Sequence, residues 1–275
     1  MSNWNGTAYH LTAKDVESAF RTILTSDLMQ TRTDQLARLS LQTSVEVHDN
    51  LSINAGASRY SDEKIKAQIP QDPEKAKNFI PKCYRVVVYQ GMLDWCSAMG
   101  VVTAVLDRTG STRRARGMLK WMSKAATMGC VGSDLLLRMW DRFQLDEDSV
   151  QEEVARMYAK TILLEVIAHE CGHVCLGHAP HQGQDPHMSI SRNDERQADS
   201  WAAAVMQSCC LGAQGAIGAV MSLIGIMWAH AISEKELRFS SHPMHLERLS
   251  MFIQDFDAMF TVTHIKKKQL LELVP

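Results

Sequence analysis

With 275 residues, 45% of them hydrophobic and 22% charged, the chain can bury the core of one large domain, or of a catalytic domain with a smaller appendage. Its net charge of -2 provides no overall field that would attract nucleic acid or an anionic membrane, so we predict no nucleic-acid partner. The seven cysteines are odd in number and their spacing does not indicate a disulfide framework.

The first residues, from Met1 to Gly6, contain neither the basic region nor the apolar run of a secretory signal. Thiols outside a disulfide pattern are typical of proteins in reducing compartments. Both observations predict a cytoplasmic protein.

The N-terminal part of the chain combines a helical pattern with a weak strand pattern. Apolar residues at helical spacing predict a helical segment over 13–42, and weak alternation over 44–59 predicts strands. The proline-containing stretch 69–81 is the best candidate for a linker. We therefore expect an N-terminal appendage of helix and strand over residues 1–75 and a catalytic domain over residues 76–275.

The middle of the chain contains one strong strand pattern among several helical ones. Residues 84–89 are β-branched and aromatic and predict the clearest strand. The apolar stretch 92–105 predicts a buried helix, the basic run 107–117 predicts a turn region, and helices are expected over 118–128 and 133–144. A small sheet among many helices predicts an α+β, mostly α fold class.

A long helix is predicted next, because its start and its end can both be identified. Ser149 and Glu152 have the spacing of a capping box. Gly177 fits the left-handed position after a helix, and Pro180 prevents the helix from continuing.

The last two turns of this helix contain the HExxH pentapeptide His169-Glu170-Cys171-Gly172-His173. Residues four apart lie on one helix face, so His169 and His173 can present imidazole nitrogens to one metal ion. Glu170 lies beside them, where its carboxylate can accept a proton from water. The pattern predicts a zinc site with His169 and His173 as ligands and Glu170 as general base.

Catalytic zinc takes three protein ligands, and Glu195 is the strongest candidate for the third. It follows His173 by 22 residues, near the start of a second predicted helix that begins at Ser191. Asp199 lies four residues later on the same face, where it can accept the outer N–H of a ligand histidine. The alanines after Asp199 favour close packing against the HExxH helix.

His178 is a weaker candidate for a zinc ligand. The extended metzincin motif requires glycine at position 176 and histidine at position 179, where this chain has leucine and alanine. His178 also follows the predicted end of the helix, so we expect it in a loop or in contact with a ligand. If Glu195 is not the third ligand, the alternatives are His178, His187 and His242.

HExxH followed by a helix with Glu-x-x-x-Asp resembles the gluzincin metallopeptidases. The run His242-Pro243-Met244-His245-Leu246-Glu247-Arg248 is similar to the HPxxxxR signature of the HtpX and CAAX-prenyl-protease type of gluzincin. The resemblance covers roughly residues 80–255. It implies Zn2+ as cofactor and a zincin-like catalytic domain, with a small sheet and the long HExxH helix packed on a second helix that bears the glutamate.

Soluble relatives fit better than those membrane enzymes, which have spans before and between the two zinc motifs where this chain has none. One such group is the Lit-type phage-exclusion peptidases of bacteria, which act on a cytoplasmic translation factor. The repressor-cleaving ImmA/IrrE-type peptidases are similar through HExGHxxLGH at residues 169–178. Their similarity ends before His242, so they fit less well.

The resemblance implies a zinc-dependent metalloendopeptidase that hydrolyses peptide bonds of a cytoplasmic protein. In that reaction Glu170 takes a proton from a water that zinc activates and delivers it to the leaving amine. The tetrahedral oxyanion needs a donor, and the candidates are His242, His245 and Arg248. Pro243 would hold a defined turn before the helix that carries them. His242 could instead fill the open position on zinc.

Two other classes of function remain open. A non-catalytic or autoinhibited zinc-binding regulatory protein is one, although Glu170 favours an enzyme because a structural zinc site needs no base. A protease anchored through the uncharged residues 209–229 is the other, since that stretch can span a bilayer. A single span there would separate Glu195 from His242, so we predict a buried helix and no membrane partner. The expected partner is a protein or peptide substrate.

Overall fold

The computed structural model describes residues 9–130, 133–146, 150–181, 191–209, 211–230, 245–262 and 265–275. These residues are mostly helical and include one three-stranded sheet, which confirms the predicted α+β, mostly α class. In chain order, the elements are α1 (Ala13–Thr25), α2 (Asp27–Thr31), α3 (Thr33–Gln42), β1 (Thr43–His48), β2 (Ala55–Arg59), α4 (Asp62–Ala67), α5 (Pro73–Ala76), β3 (Tyr84–Tyr89), α6 (Gln90–Thr109), α7 (Thr112–Thr127), α8 (Ser133–Phe143), α9 (Glu152–Leu176), α10 (Arg192–Ser208), α11 (Gly212–His230), α12 (His245–Asp255), a 3-10 helix (Asp257–Val262) and α13 (Lys267–Glu272).

The sheet has the order β1-β3-β2, with β1 parallel and β2 antiparallel to the central strand β3. β3 confirms the strand predicted over 84–89, and Val86 and Val88, which share one face of it, are fully buried. The helix α9 packs against β2 and β3. The domain boundary between residues 75 and 76 stays a prediction, and strands from both sides of it share this one sheet.

Two stretches of the chain differ from the predicted elements. The helix expected over 13–42 is three helices, because Ser26 (ψ 148°) and Arg32 (ψ 66°) leave helical backbone conformation. The turn region expected over 107–117 is wrong: α6 continues to Thr109 and α7 begins at Thr112. Arginine and alanine are good helix formers, and the basic composition concealed that preference.

The connection between α6 and α7 consists of two residues, because Gly110 ends the first helix and Ser111 caps the second. Gly110 has a positive φ of 62°, a conformation that costs glycine little and that ends α6. The Ser111 side chain accepts a hydrogen bond from the Arg114 backbone N–H and starts α7.

The helix α9 is the centre of the fold and packs against α1, α6, α10 and α11. The helix is preceded by Gln151, whose side chain makes no capping hydrogen bond. The capping box was predicted from Ser149, which lies outside the described residues. Its predicted end is confirmed, since Gly177 adopts the left-handed conformation with φ 81°. Arg38 of α3 donates to the carbonyl oxygens of Val174 and Cys175 at 3.2 and 2.9 Å and thereby fixes this end of α9.

The helix α11 contains the window Gly212–Ala229, which is long and apolar enough to cross a membrane, and 72% of that window is buried inside the protein. Core helices of water-soluble proteins have the same length and composition. The contact with α9 is close: a Cβ at Gly218 would lie 2.4 Å from the Thr161 hydroxyl oxygen. The described part of the chain therefore accommodates α11 as a core helix.

Asp15 connects the start of α1 to α9 through a hydrogen bond and an ion pair. Replacing Asp15 tests how much these contacts stabilise the fold. Its carboxylate accepts from the Thr12 N–H at 2.9 Å and lies 3.3 Å from Nζ of Lys160. Burial opposes the charged form, but the hydrogen bonds to Thr12 and the Lys160 charge together lower the pKa of Asp15 below its ordinary value. Its stabilising contribution is therefore present above about pH 4 and is lost as pH falls through the lowered pKa.

We expect Asp15→Asn to lower the free energy of unfolding by about 1–2 kcal/mol at pH 7 and by less near pH 3. Urea denaturation of the variant and the wild type at both pH values measures the difference. Asp27→Asn, an exposed aspartate in the first turn of α2, is the matched control. An equal loss at both pH values would contradict the role of the Asp15 charge.

Candidate metal centre

The first two candidate ligands project from one face of α9. Residues four apart on a helix are neighbours, and here the Nε2 atoms of His169 and His173 lie 3.2 Å apart. His173 is 2% exposed, so its imidazole reaches the other ring inside the protein rather than at its surface.

The third candidate, Glu195, comes from α10. The predicted start of this helix is confirmed: the side chains of Ser191 and Asp194 form a capping box. Glu195 follows in the first turn and is buried, with one carboxylate oxygen 3.3 Å from Nε2 of His169 and the other 3.6 Å from Nε2 of His173. The capped helix start therefore places this carboxylate beside both imidazoles.

Close packing of α9 and α10 allows this approach. A Cβ added to Gly172 would lie 3.1 Å from Cα and 3.2 Å from the carbonyl oxygen of Ala198. Glycine at 172 and alanine at 198 are small enough for the two helices to touch through their backbones. The close approach is at Ala198, one residue before Asp199, whereas the sequence predicts this role for the alanines that follow Asp199.

The separations of the three ligand atoms fit a zinc ion. Zinc bonds to nitrogen and oxygen are about 2.0–2.1 Å long, so tetrahedral geometry separates ligand atoms by roughly 3.3 Å. The two imidazole nitrogens lie 3.2 Å apart, and each lies near a different oxygen of Glu195, at 3.3 Å for His169 and 3.6 Å for His173. With one ligand atom taken from each residue, the three atoms lie within 4.8 Å of one another. Two imidazoles and a carboxylate also match the donor set of catalytic zinc sites. His169, His173 and Glu195 could therefore hold a metal ion.

Asp199 contacts the outer side of His169, as the spacing along α10 predicts. Its Oδ1 lies 2.9 Å from Nδ1 of His169, so it can accept the Nδ1–H and leave a lone pair on Nε2. In the metal-free site burial lowers the pKa of His169, but the hydrogen bonds to Asp199 and Glu195 outweigh it and raise that pKa well above its ordinary value. A metal ion that binds Nε2 of His169 therefore has to displace the proton there. Burial lowers the pKa of His173 to about 3, which keeps this ring neutral and able to bind a metal.

Arg248 of α12 binds Asp199 from the other side. Nε of Arg248 donates to Oδ2 at 2.7 Å and Nη2 donates to Oδ1 at 2.6 Å. Although burial opposes ionisation of Asp199, the Arg248 charge and the bond to His169 lower its pKa. The sequence suggested Arg248 as an oxyanion donor, whereas its guanidinium is engaged with this carboxylate.

The remaining predicted catalytic residues are only partly described. Glu170 is half-buried beside His169 on α9. His245 is the first residue of α12, and His242 lies outside the described residues.

His178 is close to the three ligand candidates without joining them. Its ring centroid is 5.7 Å from that of His173, and its Nε2 lies 3.5 Å from Oδ1 of Asp194. This placement agrees with the expectation that His178 contacts a ligand from a loop. His187, another alternative for the third ligand, lies outside the described residues.

Glu165 is a buried carboxyl group near the site that the sequence analysis missed. It is 1% exposed, accepts a hydrogen bond from the Ser222 hydroxyl at 2.5 Å, and burial raises its pKa. It lies one helical turn before His169 on α9, so the same i, i+4 spacing that identified His173 could have drawn attention to it.

The comparisons with known proteins agree with a peptidase. A family model described as Peptidase U49 matches residues 138–265, which is under half of the chain but includes α9, α10, α11 and α12. No curated protein and no solved structure matches the chain. The family match and the His169, His173 and Glu195 cluster together support a peptidase with a possible metal site.

Proposed function

We propose that this protein is a zinc-dependent metalloendopeptidase of the gluzincin type that cleaves a cytoplasmic protein. The observation that carries the proposal is the convergence of two imidazoles and one carboxylate, whose ligand atoms lie within 4.8 Å of one another, inside the segment that matches a peptidase family. The proposed partners are protein or peptide substrates, without nucleic acid or a membrane.

His169, His173 and Glu195 would hold the zinc ion, which would supply Lewis acidity to a peptide carbonyl and lower the pKa of a water molecule. Glu170 would accept a proton from that water and deliver it to the amine nitrogen of the leaving product. In this scheme Glu170 is not a ligand, because the two histidines and Glu195 account for the three protein ligands of a catalytic site.

The number of ligands supports catalysis over a purely structural zinc site. Structural zinc is enclosed by four protein ligands, whereas a catalytic site keeps one position for water or substrate. Over the described ranges, the cluster around His169 has three members. The placement of Arg248 against Asp199 leaves His242 and His245 as the proposed donors to the oxyanion.

We expect the purified protein to bind about one zinc ion per chain, because one three-residue site is present in the described residues. Elemental analysis after dialysis against limiting zinc measures the stoichiometry, and His173→Ala should reduce it. Failure to find zinc, even after it is supplied at neutral pH, would remove the basis of the proposal.

The substrate class can be tested by comparing cell proteomes that contain either the wild type or Glu170→Gln. New protein N-termini that depend on Glu170 would identify the cleaved protein, and the resemblance to Lit-type peptidases favours a component of the cytoplasmic translation machinery. If the two proteomes have the same N-termini while the purified protein binds zinc, a regulatory zinc protein becomes the better account.

A further inference from the structure

We propose that Arg248 is a positioning residue that orients the metal ligand His169 through Asp199. The inference rests on the proposed metal site, but it concerns how the ligand is held and does not depend on the identity of a substrate. It assigns Arg248 a role different from the oxyanion contact that the sequence suggested.

The geometry is a chain of three side chains from three helices. Arg248 of α12 donates to both carboxylate oxygens of Asp199, at 2.7 and 2.6 Å, and Asp199 of α10 contacts Nδ1 of His169 at 2.9 Å. Arg248 is 5% exposed and Asp199 is fully buried, so water cannot readily replace either partner. Each contact is within hydrogen-bond distance and the two at Asp199 form a fork.

The fork fixes the plane of the Asp199 carboxylate. A carboxylate held by a single donor can rotate about its Cβ–Cγ bond, whereas two parallel donors from one planar guanidinium set its orientation. With the plane set, Oδ1 accepts from Nδ1 of His169, and Nε2 of that ring is directed towards Glu195, 3.3 Å away. Lysine could supply a charge to Asp199 but not this two-point contact.

A second ion pair between the same two helices separates this role from simple tethering. Arg196 of α10 donates to Glu247 of α12 at 2.6 Å, and both side chains are nearly half exposed. This pair joins α10 to α12 through a hydrogen bond that involves neither His169 nor Asp199. It therefore provides a matched control: breaking it should change the connection between the helices and leave the metal ligand oriented.

An oxyanion role for Arg248 makes a different prediction. Removal of an oxyanion donor lowers kcat and leaves the metal affinity unchanged. Removal of a group that orients a ligand weakens metal binding, typically by about 10–100-fold. The zinc dissociation constant thus distinguishes the two roles without an assay of proteolysis.

The experiment compares zinc and cobalt binding by the wild type, Arg248→Gln, Arg248→Lys and Arg196→Gln. Competition with a chelator gives the zinc dissociation constants, and the visible absorption of the Co2+-loaded proteins reports the geometry around the metal. We expect about 10–100-fold weaker zinc binding and an altered cobalt spectrum for Arg248→Gln, a smaller change for Arg248→Lys, and wild-type values for Arg196→Gln.

Arg248→Lys covers the case in which Arg248→Gln leaves an unpaired buried carboxylate and does not fold, because it retains a charge beside Asp199 and loses only the two-point contact. In that case weaker zinc binding and an altered cobalt spectrum are expected from Arg248→Lys. Wild-type zinc affinity and an unchanged cobalt spectrum in a folded Arg248 variant would overturn the inference, whether or not kcat falls. An equal effect of Arg196→Gln would also overturn it, in favour of tethering. If the wild type itself binds no zinc, the proposed function fails. That result differs from one in which the wild type binds zinc and the Arg248 variants bind it equally well.

Discussion

Glu170→Gln is expected to keep zinc bound and to lower kcat by roughly 10²–10⁴-fold, the usual contribution of a general base. Glutamine has nearly the same shape as glutamate but has no oxygen basic enough to take a proton from water. Glu170 lies between the two histidines in sequence, and the three-ligand cluster of His169, His173 and Glu195 does not include it. Loss of activity with retained metal would therefore identify the group that moves the proton.

The measurement pairs elemental zinc analysis with cleavage of a substrate identified by comparing the proteomes of cells with and without the wild-type protein. Glu153→Gln is the control, because it makes the same chemical change at an exposed position in the first turn of the same helix α9. Persistent cleavage by purified Glu170→Gln would mean that another residue acts as the base.

Glu195→Ala is expected to lower zinc affinity by more than the roughly 10–100-fold that follows loss of a group behind a ligand. The reason is that the carboxylate contacts both Nε2 atoms and is one of three ligand candidates in the described residues. Chelator competition measures the affinity, and circular dichroism of the metal-free proteins checks that the variant is folded.

Glu195→Asp is the matched variant, since it retains the charge but shortens the side chain by one methylene. We expect its zinc affinity to fall between those of the wild type and Glu195→Ala. Unchanged affinity in Glu195→Ala would transfer the role of third ligand to His178, His187 or His242.

The part of the site that the sequence could predict depends on local geometry. His169 and His173 are four residues apart on a helix, and the 3.6-residue period alone brings their rings together. Asp199 follows Glu195 at the same spacing, so its contact with His169 could be anticipated once α10 was placed against α9. These inferences required helix periodicity and the chemistry of zinc, and no information on the rest of the fold.

The role of Arg248 could not be predicted in the same way. A motif identifies the residue type at a position, whereas the contact between Arg248 and Asp199 joins positions 49 residues apart through the packing of α12 on α10. The sequence suggested a contact with the oxyanion, because Pro243 would hold a defined turn before the helix that carries Arg248. Packing instead brings the guanidinium to Asp199, on the side of that carboxylate away from His169.

The fold showed a similar division between local and distant determinants. The strand over 84–89 and the end of α9 at Gly177 follow from β-branched composition and from one left-handed residue. The interruptions at Ser26 and Arg32 do not, because neither residue is a strong helix breaker. Glu165 was missed because an apolar sequence context does not reveal a buried acid.

The contact between Gly172 and Ala198 limits how far apart α9 and α10 lie at the candidate metal site. It sets the distance between α9, which carries the ligand candidates His169 and His173, and α10, which carries Glu195. Zinc–ligand bond lengths vary by only about 0.2 Å, and a single added methyl group at 172 would have to move its neighbours by a few tenths of an ångström. The shift that a side chain at position 172 would force is thus comparable in size to the range of zinc–ligand bond lengths.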